Sequence, residues 1–108
     1  MKVLFAVLAT ALGLTLASGA FAADPKAAEA LARTSGCLAC HSVDKKLVGP
    51  AYKDVAAKYR NKKGAEAALI QKVKAGGKGA WGEILMPPNP QVKDADIKTI
   101  VQWVLSLK

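Results

Sequence analysis

The clearest hydrophobic pattern lies at the carboxyl end. Ile97, Ile100, Val101, Val104 and Leu105 recur at i, i+3, i+4, i+7 and i+8, which predicts a helix over about 94–108 with one buried stripe. Upstream, "AEAALIQKVKA" from Ala65 to Ala75 is bounded by Gly64 on one side and Gly76 and Gly77 on the other, predicting a second helix with natural stops. A third is expected to start at Pro50 and run through "AYKDVAAKYR", ending in a basic cluster that suits a helix C-terminus. A fourth opens where Asp24 precedes Pro25, an N-cap followed by proline at the first helical position, and stops at Gly36. No useful length alternates with period two, so no sheet is expected and the fold class is all-α. The segment "GGKGAWGEILMPPNPQV" between the last two helices is long and irregular. Connections of that length are functional or disordered, and Trp81, Ile84, Leu85 and Met86 give this one apolar anchors, so it is expected to be ordered and to wrap something.

The amino terminus follows another pattern. After Met1 and Lys2, "VLFAVLATALGLTLASGAFA" carries no charge and closes on Ala20-Phe21-Ala22, which fits a signal peptidase site. Residues 1–22 are therefore read as a cleaved signal peptide and 23–108 as a single domain of an exported protein. The alternative, an uncleaved membrane anchor, is weakened by Gly13, Thr15, Ser18 and Gly19 within the run. A domain this short, with apolar content made largely of alanine, buries little surface and needs a staple. Disulfides are the usual one in small exported domains, but the chain has two cysteines only three positions apart, and so tight a ring removes little chain entropy.

Those two cysteines and the single histidine stand together in "SGCLACHSV", as Cys37, Cys40 and His41. A structural zinc site wants four nitrogen or sulfur ligands, more than this chain offers. A thiol–disulfide oxidoreductase remains as an alternative of another class, although it wants flanking strands that the pattern does not supply. A plain disulfide leaves His41 unexplained. Covalent attachment of one haem c accounts for all three residues: both thiols add to the porphyrin vinyl groups and the adjacent imidazole binds the iron. If the segment is helical, positions i, i+3 and i+4 address the cofactor from one side. The porphyrin then provides the missing apolar bulk. For the sixth iron position there is no second histidine, and Met86 is the one methionine beyond the leader. Pro87 pushes Met86 toward extended backbone and stiffens the chain after it, and methionine with histidine is an electron-transfer pairing. A gas-binding or peroxidase-like protein with an open sixth site is the second haem reading.

The stretches "GCLACHSVDKKLVGPAYKDVAAKY", "AGGKGAWG", "MPPN" and "WVLSLK" resemble class I c-type cytochromes of the bacterial cytochrome c-551 (cytochrome c8) group, in the same order along nearly the whole of 23–108. The resemblance implies the small class I cytochrome c fold, about four helices and an ordered Gly/Pro-rich loop around one haem. It implies a periplasmic one-electron carrier, not an enzyme, with His41 and Met86 as axial ligands and thioethers at Cys37 and Cys40. It further implies that the Pro50 carbonyl accepts a bond from the His41 ring, that Trp81 bonds a haem propionate, and that Asn89 acts near the methionine sulfur. Lys72 stands where relatives carry a propionate-binding arginine, and a lysine lacks that fork.

The formal charge of +8 is read as electrostatic steering toward redox proteins with acidic docking patches. Lys45, Lys46 and Lys78 are expected near the haem edge. Candidate partners are a nitrite reductase, a terminal oxidase, a photosynthetic reaction centre and a peroxidase. Nucleic acid is excluded for an exported chain with no recognition motif, "AGGKGAWG" does not match a phosphate loop, and the mature chain is expected to be monomeric and not membrane-embedded.

Overall fold

The computed structural model describes Gly13 and residues 24–108. The expected signal peptide, Gly13 apart, lies outside the described residues, and so does its cleavage site. Four helices form in chain order: α1 (Pro25–Thr34), α2 (Tyr52–Tyr59), α3 (Ala65–Ala75) and α4 (Asp94–Ser106). A short 3-10 turn at Cys37–Ala39 follows α1, and two strands, β1 (Gly77–Gly79) and β2 (Gly82–Met86), lie between α3 and α4.

Local chemistry explains most boundaries. The Asp24 carboxylate accepts from the Lys26 amide at 3.2 Å, satisfying one of the donors a helix start leaves unpaired, and Pro25 occupies the first turn, where its missing N–H costs nothing. Residues 65–75 form a helix between the glycines that bracket them in sequence. The exception is α2, which begins two residues later than expected. A helix starting at Pro50 would spend the Pro50 carbonyl on the amide of Asp54. Instead that carbonyl is engaged by His41 at 2.8 Å, and Asp54 and Val55 both donate to Ala51.

α4 is the hub, packing against α1, α2 and α3. Its predicted stripe is buried at Ile97, Ile100, Val101 and Val104, with Leu105 half-buried, and Trp103 widens it. Ala28 and Ala32, both fully buried, let α1 approach α4 closely. One side of the core gathers Ala28, Ala32, Tyr52, Val55, Trp103 and Val104. The other gathers Val92, Ile97 and Val101, with Leu69, Ile70 and Val73 of α3 packed against them.

The expectation of no sheet needs correction: β1 and β2 pair antiparallel, with Gly77 opposite Met86 and Gly79 opposite Gly82. Three residues of Gly-Lys-Gly cannot display a period-two pattern, and Gly82, Glu83, Ile84 and Leu85 are all exposed. A hairpin with no buried face therefore leaves no alternation to read. Among the described residues no helix is long and apolar enough to cross a membrane.

Candidate cofactor site

The short turn after α1 brings the motif together. The His41 amide donates to the Cys37 carbonyl at 3.0 Å and the Cys40 amide to the same oxygen at 3.2 Å. One turn of backbone thus directs Cys37, Cys40 and His41 into a single cleft. Both cysteines are free and half-buried. Burial pushes the Cys37 thiol up, partly offset by the Tyr52 hydroxyl and a backbone hydrogen bond. The Tyr52 hydroxyl is raised as well, chiefly by burial and then by its proximity to Cys37. Burial of Cys37 thus works against the low-pKa thiolate on which disulfide exchange depends.

His41 is held on several sides. Its Nδ1 lies 2.8 Å from the Pro50 carbonyl. A carbonyl only accepts, so Nδ1 carries the proton and Nε2 keeps its lone pair for a metal. The Tyr52 ring stacks on the imidazole with centroids 4.8 Å apart and planes 17° from parallel, and Trp103 meets Tyr52 edge-on at 5.6 Å. Gly49 presses against the same ring. A Cβ there would stand 2.6 Å from His41 Cε1, 2.9 Å from Nδ1 and 3.0 Å from Nε2, so no larger residue fits without moving the imidazole. Gly49→Ala is accordingly expected to displace the ring from Pro50 and to destabilise the haem-loaded protein by about 1–3 kcal/mol, measured by urea unfolding.

Another wall of the cleft comes from the hairpin. Met86 closes β2, and a Cβ at Gly76 would meet the Met86 carbonyl at 2.6 Å and the Pro88 nitrogen at 2.8 Å. The end of α3 and the Met-Pro-Pro segment can touch only because residue 76 has no side chain and adopts φ 75°. Trp81, Ile84 and Leu85 line the cleft while remaining 43%, 55% and 60% exposed. Lys72 lines it as well, its side chain folded over Gly77.

Asn89 is not among the lining residues. Its amide donates to the Val73 carbonyl at 3.0 Å and the Pro87 carbonyl at 3.2 Å, and its backbone N–H donates to Lys74 at 3.2 Å. It ties the chain beyond Met86 to α3. Of the lysines expected at the edge, Lys46 and Lys78 line the cleft and Lys45 does not; Lys78 also lies 3.8 Å from Glu83. Gly49, Tyr52 and Lys58 have no part in the sequence-based site. For Gly49 and Tyr52 the signal lies in "VGPAY", where a glycine–proline pair is followed, one residue on, by an aromatic residue.

The cleft is a cavity of about 240 Å³ that opens to solvent. Its walls present large apolar side chains to open space, while among the described residues no buried side-chain polar atom lacks a partner. What the walls lack is apolar contact. Two free thiols, an imidazole with Nε2 available and a thioether beside an apolar slot are the donor set that a covalently attached haem requires, so the residues present fit that group.

Comparison with known proteins bears on the same residues. The sequence model of a family described as "Cytochrome c" matches residues 25–108. The chain is 53% identical over 105 residues to cytochrome c-551 of Pseudomonas aeruginosa, covering 97% of this chain and 95% of that protein. It is 49% identical over 98 residues to cytochrome c-552 of Nitrosomonas europaea, covering 90% and 95%. The crystal structure of wild-type Nitrosomonas europaea cytochrome c552 superposes with a TM-score of 0.72 at 51% identity, covering 74% of this chain and 99% of that one. That of the class 1 cytochrome MtoD from Sideroxydans lithotrophicus gives 0.65 at 43% identity, covering 78% and 96%.

Proposed function

The chain belongs to the cytochrome c family, and from that premise we propose that it carries single electrons between redox proteins of the periplasm, its iron held by His41 and Met86. One haem c is bound covalently, with thioethers at Cys37 and Cys40 and the His41 imidazole on the iron. The signal peptide 1–22 would direct export of the domain 23–108. The observation that carries this reading is the cleft in which two free thiols, an oriented imidazole and Met86 meet among exposed apolar side chains.

When bound, the haem iron supplies a reversible one-electron couple. The protein's own residues determine how that couple behaves. Pro50 holds the His41 ring in one tautomer and orientation, and such a contact tunes a metal ligand as well as positioning it. Asn89 fixes the strand exit, so Met86 is presented by a segment stiffened by Pro87 and Pro88. Trp81 and Lys72, both on the cleft wall, are the candidates to meet the propionates, Lys72 as a point charge. Ile84, Leu85 and Val48 exclude water from the ring. Nothing in this arrangement needs a general acid, a base or a substrate pocket. It is a rigid frame that keeps both ligands in place across the redox change.

Lys46 and Lys78 on the cleft wall, within a chain of formal charge +8, suit docking to acidic patches on a nitrite reductase, oxidase, reaction centre or peroxidase. Second-order electron-transfer rates with such a partner are expected to fall by about tenfold between low and physiological salt. Rates indifferent to salt would contradict steering by this face.

A further inference from the structure

The hairpin that carries Trp81 and Met86 is tethered unevenly. Its root is tied to α3, through the Asn89 hydrogen bonds to Val73 and Lys74 and the close approach of Gly76 to Met86 and Pro88. Its strands pair chiefly with each other, and at the root end Lys72 of α3 folds over Gly77. At the tip stands one side chain from another element. Lys58, in the last turn of α2, donates from Nζ to the Ala80 carbonyl at 2.8 Å, and the same Nζ lies 4.6 Å from the centroid of the Trp81 ring. Lys58 has no carboxylate partner among the described ion pairs. The cation bonds one tip residue and rests on the π face of the next, closer than to the Tyr59 ring of its own helix at 5.9 Å.

We infer that Lys58 is a positioning residue that latches the hairpin tip to α2 and sets how often the hairpin lifts away from the cleft. Lifting of the tip would carry Trp81 away and, through β2, loosen Met86 at the strand's tied end. A charge-assisted hydrogen bond and a cation–π contact are each modest at an exposed position. Among the described residues no other hydrogen bond from a helix reaches Ala80 or Trp81, so the loss of these two contacts falls on local opening more than on global unfolding. The consequence for iron ligation rests on the reading that Met86 is a ligand.

The test uses the haem-loaded ferric protein with Lys58→Met, Lys58→Arg and Lys62→Met. Lys62 provides the charge control: its ammonium lies 5.6 Å from the Tyr59 ring. Two readouts are taken: amide hydrogen exchange over residues 79–86, and the rate at which saturating imidazole abolishes the sulfur-to-iron absorption band. Lys58→Met is expected to raise both about three- to tenfold, with an unchanged urea midpoint for the helices. Lys58→Arg, which keeps the cation, and Lys62→Met are expected to stay near wild type. Unchanged exchange in Lys58→Met would overturn the latch. So would an equal effect from Lys62→Met, which would trace it to net charge, or a matching fall in the urea midpoint. If the wild-type protein has no sulfur-to-iron band, it is Met86 ligation that fails, and hydrogen exchange still decides the latch.

Discussion

A variant with Cys37 and Cys40 both replaced by alanine is expected to yield a protein from which all haem extracts into acidified organic solvent, and whose helical circular dichroism is largely lost at temperatures the native protein survives. The reason lies in where the apolar surface is. Much of the protein-only core is alanine, with Ala28, Ala32, Ala51, Ala56 and Ala65 buried beside a single tyrosine and a single tryptophan, Tyr52 and Trp103. Val48, Trp81, Ile84 and Leu85 stay 53%, 43%, 55% and 60% exposed along the cleft. Covering them with a porphyrin recovers about 25 cal/mol for each Å² removed from water. Without a tether the cofactor exchanges with solvent, and a domain this small has only a few kcal/mol of its own to lose. Retention of full helicity in colourless double-variant protein would show that the polypeptide core suffices alone.

The second large effect is expected from Met86→Ala. Removing the thioether should abolish the sulfur-to-iron band of the oxidised protein and allow carbon monoxide to bind the reduced form at once. The potential should fall on the order of 0.1 V or more, because a methionine ligand favours the reduced state and axial ligation is a principal control of haem potential. The helical fold should survive, since Met86 stands at the edge of the hairpin and outside both clusters of the core. A Met86→Ala protein with an unchanged spectrum and potential would place the sixth ligand elsewhere.

How much of this was legible in the sequence follows the distance over which each feature is determined. α3 and the stripe of α4 were readable because periodicity and bracketing glycines are local. Cys37, Cys40 and His41 stood out because the whole arrangement fits within five residues. The start of α2 was not readable, because Pro50 gives its carbonyl to a ring nine residues upstream and a helix pattern carries no trace of that. The hairpin was missed because its strands are short and bury no face. The close approach of Gly49 to His41, the stacking of Tyr52 on the imidazole and the reach of Lys58 to Ala80 are tertiary facts that no window of sequence displays. Asn89 illustrates the intermediate case. Its place in "MPPN" marks it as belonging to the Met86 segment, while its bonds to Val73 and Lys74 depend on how α3 packs.

Cofactor, ligand geometry and carrier role all depend on thioether bonds from Cys37 and Cys40 to one haem. Intact mass spectrometry of the exported protein under denaturing conditions tests this most directly. The expected result is a single species weighing as much as residues 23–108 plus one haem, with the added mass mapping to the peptide that contains Cys37 and Cys40. A folded exported protein with the mass of the polypeptide alone would contradict it.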